Sequence, residues 1–461
     1  MHAGLLRRLG IVGLSSLEAP ILAALATETP LLLIGPHGTA KSLLLTRLAD
    51  ALGLPFRHYN ASLLNFDDLV GYPLPTKHGT LDYVRTPASI WGAGAVLFDE
   101  VSRCRPDVQN KLFPIVHERR VQGIALEGLQ HRWAAMNPPS TDEDDNGYAG
   151  SEPLDAALAD RFGFVLTMPD WRDFAPTDRI ALIRATELAP EPAAAAALRS
   201  AVATTRSLLD LQDDNFRAGA AEYVSVACSL LAQAGIELSA RRAGMLHRAV
   251  LAVAAASIVL DPARPAADAA LVALRSSLPQ RAQGIPVNET KLLVAHREAA
   301  KATALAHDNP LRAILCARDP LDRLQLAVAA TSLDRDDFSR VAGDVLALLP
   351  RGAREAAIVH LFDTGAIGRL TAAIAAQAGE TYQGIATPPV FSESLHANST
   401  RFTTWATLKD LLARLDPQHP GAHLHANAMA ALFARKELQT PEEAVAAFEA
   451  YRTAAQRLGA A

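Results

Sequence analysis

Four apolar residues, Leu31-Leu32-Leu33-Ile34, run directly into Gly35-Pro36-His37-Gly38-Thr39-Ala40-Lys41-Ser42. A strand that is apolar at every position is covered on both faces, as in a parallel sheet. A glycine-bearing turn straight after such a strand, closing on Lys-Ser at the start of a helix, fixes strand, loop and helix in one order. Few other architectures accommodate that order.

Further strand-like runs follow at 56–60, 95–98, 132–136 and 164–168, each leading into a loop with polar or turn residues. Strands alternating with helical stretches predict a doubly wound parallel sheet. Two more stretches, 72–84 turning at Lys77-His78-Gly79 and 121–131 turning near Glu127-Gly128, predict β-hairpins outside that sheet. Ser15-Ser16-Leu17-Glu18 predicts a capping box opening a helix through Ala26. From Trp171 onward Ala, Leu and Arg recur at helical spacing, and the last helix is punctuated by Thr440, Pro441, Glu442, Glu443 and Gly459. The expected organisation is an α/β nucleotide-binding domain over 1–170, an α-helical lid over 171–285 and a C-terminal helical domain over 286–461.

The loop misses the strict pattern G-x-x-x-x-G-K-[ST] by one residue, because Ala40 stands where the second glycine belongs. At a helix entrance, alanine is expected in a backbone conformation that does not need glycine's freedom. The loop still brings backbone amides to phosphate oxygens, with Lys41 to neutralise the β and γ phosphates and Ser42 to hold magnesium. An apolar run ending Asp99-Glu100 follows about 60 residues on, the spacing of a Walker-type acidic pair. Asp99 is expected as the second magnesium contact, and Glu100 as the group that orients or deprotonates the attacking water.

At this point the chain resembles the AAA+ superfamily, and within it the MoxR-type ATPases, related to the magnesium chelatase ATPase subunit and the dynein-related group. The resemblance rests on 35–42, on Leu97-Phe98-Asp99-Glu100-Val101-Ser102-Arg103, on Gln109-Asn110-Lys111-Leu112 through Glu118-Arg119-Arg120-Val121, on Met136-Asn137-Pro138, and on 154–162. It covers roughly the first 280 residues if the lid is included. The resemblance implies ATP and Mg2+ as cofactors, Asn137 as a sensor of the attacking water or γ phosphate, and Arg161 as an arginine finger for a neighbouring subunit. Ser239-Ala240-Arg241 is similar to the lid's sensor-two motif, which implies that Arg241 approaches the phosphates, with Arg242 adjoining it. It also implies a ring, hexameric by family, whose hydrolysis remodels a client protein or inserts a metal or cofactor into it. A von Willebrand factor A-type partner is implied too; the C-terminal domain, which the resemblance does not reach, is expected as its docking element, and the hairpins are expected to face the ring's central surface.

Composition narrows the alternatives. A net charge of -5 and a pI near 6.3 do not prompt a polyanion as principal partner. A nucleic-acid-stimulated motor stays open through Lys77, His78, Arg119, Arg120, His131 and Arg132 on the hairpins, and a nucleotide-gated scaffold with little turnover shares the same loop. Three widely spaced cysteines, Cys104, Cys228 and Cys316, suggest a reducing cytoplasm. The start of the chain carries no signal-like apolar stretch, and the most apolar run, 249–260, is expected as a buried helix too short to cross a bilayer. Asp142 to Gly147 has half a calcium-loop pattern but Pro153 in the twelfth position, and His419, His423 and His425 lack a cysteine or carboxylate cluster; neither is expected to bind metal.

Overall fold

The structure, a computed structural model, describes residues 4–75, 81–140, 150–184, 188–263, 266–387, 396–397 and 399–459. The chain divides into two compact units, Met1–Ala300 and Lys301–Ala461.

In the first unit the expected parallel sheet forms, with an α/β AAA-type core and helices following it. Its strands are β1 (Leu31–Ile34), β2 (Phe56–Asn60), β5 (Ala95–Asp99), β8 (His131–Met136) and β9 (Phe164–Thr167), in the spatial order β2-β5-β8-β1-β9. β1 is buried at every residue because β8 and β9 flank it and helices cover both faces. Leu31 pairs with both Trp133 and Phe164, so β1, β8 and β9 point the same way and present the same end to the loop after Ile34. Asn60 pairs with Asp99, which brings the ends of β2 and β5 to that edge as well.

The antiparallel pair β3 (Tyr72–Pro75) and β4 (Leu81–Val84) is the first hairpin, and its expected turn at Lys77-His78-Gly79 lies outside the described residues. The second hairpin joins β6 (Arg120–Val121) to β7 (Ile124–Ala125). Its turn is Gln122-Gly123, both at positive φ (48° and 81°), rather than Glu127-Gly128. A two-residue turn with left-handed dihedrals matches strand twist, so the tighter hairpin wins. His131, expected at the hairpin's end, opens β8 instead.

The capping box at Ser15 does not form. Ser15–Leu17 is a short 3-10 turn, the helix begins at Glu18, and the Glu18 carboxylate accepts the Leu6 amide at 2.9 Å. A tertiary donor has displaced the local one. Helix Glu18–Thr27 packs against helices Ala194–Asp210 and Ala240–Leu260, and the helix after the loop, Lys41–Leu52, also packs on Ala194–Asp210. The expected buried helix is therefore longer than its apolar core: it starts at Ala240 and reaches 21 residues, a length and composition that could span a bilayer. Its residues 249–257 are all buried among these neighbouring helices.

The second unit is helical, with a core that includes Leu324, Phe338, Leu361, Leu432 and Phe448. Five of its helices start on side-chain caps: Asn309, Asp319, Asp334, Ser399 and Thr440 each accept a backbone amide of the first turn. The final helix, Pro441–Leu458, closes on Gly459 at φ 69°, as its punctuation predicts. His423 and His425 lie in helix Ala422–Ala434 rather than in an irregular loop, and His425 stacks on Phe448 and Tyr451 with ring centroids 4.3 and 4.2 Å away. Burial pushes its imidazole down to about 4, so it is a neutral core residue. No cluster of metal-ligating side chains occurs among the described residues, and the acidic loop at Asp142 to Gly147 lies outside them.

Candidate active site

The turn after β1 carries the loop, and helix Lys41–Leu52 begins at its last lysine. Gly38 has φ +78°, and a side chain built there would meet nothing within 4 Å. Ala40 has φ 60° and ψ 25°, squarely left-handed, which overturns the expectation that this position avoids glycine's region. For alanine that conformation costs roughly 1 kcal/mol or more. No side chain caps this helix, so the amides of its first turn keep their hydrogens for an anion at the positive end of the dipole. That is the observation by which the loop fits a phosphate chain.

Lys41 reaches back over the loop. Its Nζ donates to Gly35 O at 2.7 Å and Pro36 O at 2.8 Å, and stands 3.3 Å from Asn137 Oδ1. Burial pulls its pKa below the usual lysine range, while Asp99 and Glu100 pull the other way. Thr39 holds the loop closed through Oγ1 to Pro36 O at 2.8 Å.

Ser42 Oγ donates to Asp99 Oδ2 at 2.5 Å across the gap between the helix start and the end of β5. The two supply hard oxygen donors at one point, the ligand chemistry that suits Mg2+. Burial alone would raise the Asp99 pKa, but hydrogen bonds from His58, Ser42 and the Glu100 amide outweigh it and hold the carboxyl below its ordinary value. Glu100 follows in a left-handed conformation, φ 56°, with its carboxylate half-exposed and 3.8 Å from Arg103. Asn137 leaves β8 toward the same edge, and its carbonyl accepts Ser151 Oγ at 3.2 Å. Lys41, Ser42, Asp99, Glu100 and Asn137 are thus gathered at one end of the sheet.

The arginines gather at the other end. Residues 160–163 form the turn before β9, whose first residue pairs with the first residue of β1, and a side chain at Gly163 would collide with Thr29. In that turn Arg161 lays its guanidinium 4.5 Å over the Phe113 ring and donates to Ala157 O at 2.6 Å. Arg241 is half-exposed and stands 3.8 Å from Asp160, and both Arg161 and Arg241 act electrostatically on His117. Arg242 is 0% exposed and bonds Asp160 together with backbone carbonyls of the turn. Its neighbour Arg241 is the one with a free face. Arg241 thus stands beside the turn that carries Arg161.

Two features escaped the sequence. His58 Nε2 lies 3.2 Å from Asp99 Oδ2, an approach set by the β2–β5 pairing and invisible in either strand alone. Ser151 Oγ bonds Ser102 Oγ at 3.0 Å, tying the turn after Glu100 to the Asn137 backbone. The hairpin cations expected for nucleic acid fare differently. His131 and Arg132 are buried, Arg119 pairs with Glu28 at 2.9 Å, Arg120 is exposed, and Lys77 and His78 lie outside the described residues.

Residues 30–162 match the family model of the AAA domain, dynein-related subfamily. The match takes in the loop, the acidic pair, Asn137 and Arg161, and ends before Arg241. Among solved structures, that of an inferred ATPase from Cytophaga hutchinsonii is 18% identical, with 64% of this chain and 91% of that one covered at a TM-score of 0.45. No curated protein matches the sequence.

Proposed function

We propose that the chain is the subunit of a ring-forming, MoxR-like ATPase that couples ATP hydrolysis to remodelling or activation of a client protein. The observation that carries the reading is the convergence of Lys41, Ser42, Asp99 and Asn137, from three separate segments, on one loop with uncapped helix amides. Lys41 and the loop amides would bind the phosphate chain, Ser42 and Asp99 would hold Mg2+, Asn137 would orient the terminal phosphate, and Glu100 would take a proton from water. Bound there, Mg2+ supplies charge neutralisation on the β and γ oxygens.

The position of the arginines supports the ring. Arg161 and Arg241 sit past the far end of strands four residues long, about 13 Å from the loop by strand rise alone. A guanidinium there completes a phosphate site most directly on another copy, through a head-to-tail contact that closes by rotation, with six subunits proposed by resemblance. The client, a von Willebrand factor A-type partner, docking through the second unit, and a cytoplasmic setting belong to the same proposal; the wide spacing of the three cysteines in the sequence supports the last. The burial of His131 and Arg132 leaves the nucleic-acid reading with less surface to use.

The test is phosphate release by the purified full chain beside Glu100→Gln, with molar mass followed by light scattering as ATP is added. Turnover that needs Glu100, in a particle of several subunits, supports the reading. Equal release by both proteins, or a monomer at saturating ATP, sinks it.

A further inference from the structure

We propose that Arg242 is a positioning residue for Arg161, shaping the turn that aims it. The proposal rests on the reading of Arg161 given above. The Arg242 guanidinium, fully buried, donates to Ala159 O at 3.2 Å, to Phe162 O at 2.7 Å, to Gly163 O at 3.5 Å and to Asp160 Oδ1 at 3.2 Å. Those acceptors lie on both sides of residue 161 in the chain. One planar, rigid fork therefore sets the backbone before and after Arg161, a geometry that a lysine ammonium cannot reproduce.

Arg161 itself is lightly held. Among the described residues its side chain has one hydrogen bond, to Ala157 O, a ring face under its guanidinium, and an Nε with no hydrogen-bond partner. Its direction consequently follows from the turn. The fork in turn is anchored: Ser239 Oγ accepts the Arg242 amide at 3.0 Å and lies 3.2 Å from Asp160 Oδ2, at the start of a helix packed against Glu18–Thr27. A buried guanidinium is a poor choice for stability alone, since an apolar side chain of similar volume often serves as well. What it supplies here is one defined turn.

The test is a double-mutant cycle on ATP turnover by the full chain, well below the unfolding temperature. Arg242→Lys and Asp160→Asn are each combined with Arg161→Ala. The expected result is a loss of about tenfold or more in kcat for each single variant, with the KM for ATP held within about twofold, and no further loss when Arg161 is already alanine. Should Arg242→Lys fail to fold, Asp160→Asn, of the same size, carries the cycle. Losses that multiply, or an unchanged kcat in the folded single variants, overturn the positioning role. Native turnover in Arg161→Ala overturns the reading of Arg161 itself, and this proposal with it.

Discussion

The two ends of the central sheet are chemically unlike. The end that carries the loop collects one ammonium with carboxylates, a hydroxyl and an amide: Lys41, Asp99, Glu100, Ser42 and Asn137. The opposite end collects guanidinium groups, with Arg119, Arg132, Arg161, Arg206, Arg241 and Arg242 set around Glu28 and Asp160. Phosphoryl transfer needs both chemistries, metal-binding acids on one side and cationic donors on the other. A single chain holds them apart by the length of its strands. In the proposed ring, that difference would make each copy a donor at one end and an acceptor at the other.

The sharpest way to break that picture is at its arginine end. Arg161→Ala is expected to lower kcat by about 10³-fold or more. Mixing it with Lys41→Ala subunits should then recover about a quarter of native turnover, because an intact loop can face an intact arginine only across a mixed contact. No recovery on mixing would mean that the two ends never meet. At the loop end, Glu100→Gln should cost about 10²-fold in kcat while ATP binding, read by calorimetry, is kept.

Smaller effects sharpen the loop end further. Asp99→Asn should raise the Mg2+ concentration for half-maximal turnover by about tenfold. Because the Asp99 carboxyl is held below its ordinary pKa in the folded chain, it contributes stability above the unfolded value, and that contribution is lost as pH falls through the lowered one. Thermal unfolding of Asp99→Asn should accordingly vary less with acid than that of the native chain. Ala40→Gly is the mildest test. Relief of a left-handed alanine, about 1–2 kcal/mol, exceeds the about 0.4–1 kcal/mol of extra unfolded-state freedom, so urea unfolding should shift toward higher stability by about 0.5 kcal/mol.

The loop end was legible in the sequence because each of its parts is a contiguous run: an apolar strand, then a turn or an acidic pair. The period and the punctuation sit in neighbouring letters, which is why β1, β2 and β5 and the last helix fall where expected. The arginine end was not legible in the same way. Arg241 and Arg242 are adjacent and alike in sequence, and only the packing of their helix start against the turn at Asp160 makes one a buried fork and the other a half-exposed cation. Ser15 lost its capping role to the Leu6 amide, a partner twelve residues from Glu18. Gln122, no usual turn residue, took a left-handed conformation that the hairpin's twist demanded. In each case a distant contact decided between local options of similar energy.

Ala40 carries one more consequence. A rule for this loop written in residue letters rejects the chain, since the second glycine is missing. Written in dihedral angles, the rule accepts it, because residues 38 and 40 both turn left-handed, at φ 78° and 60°. Chains that take the same backbone path can therefore fail a strict letter pattern and still match on the letters around it.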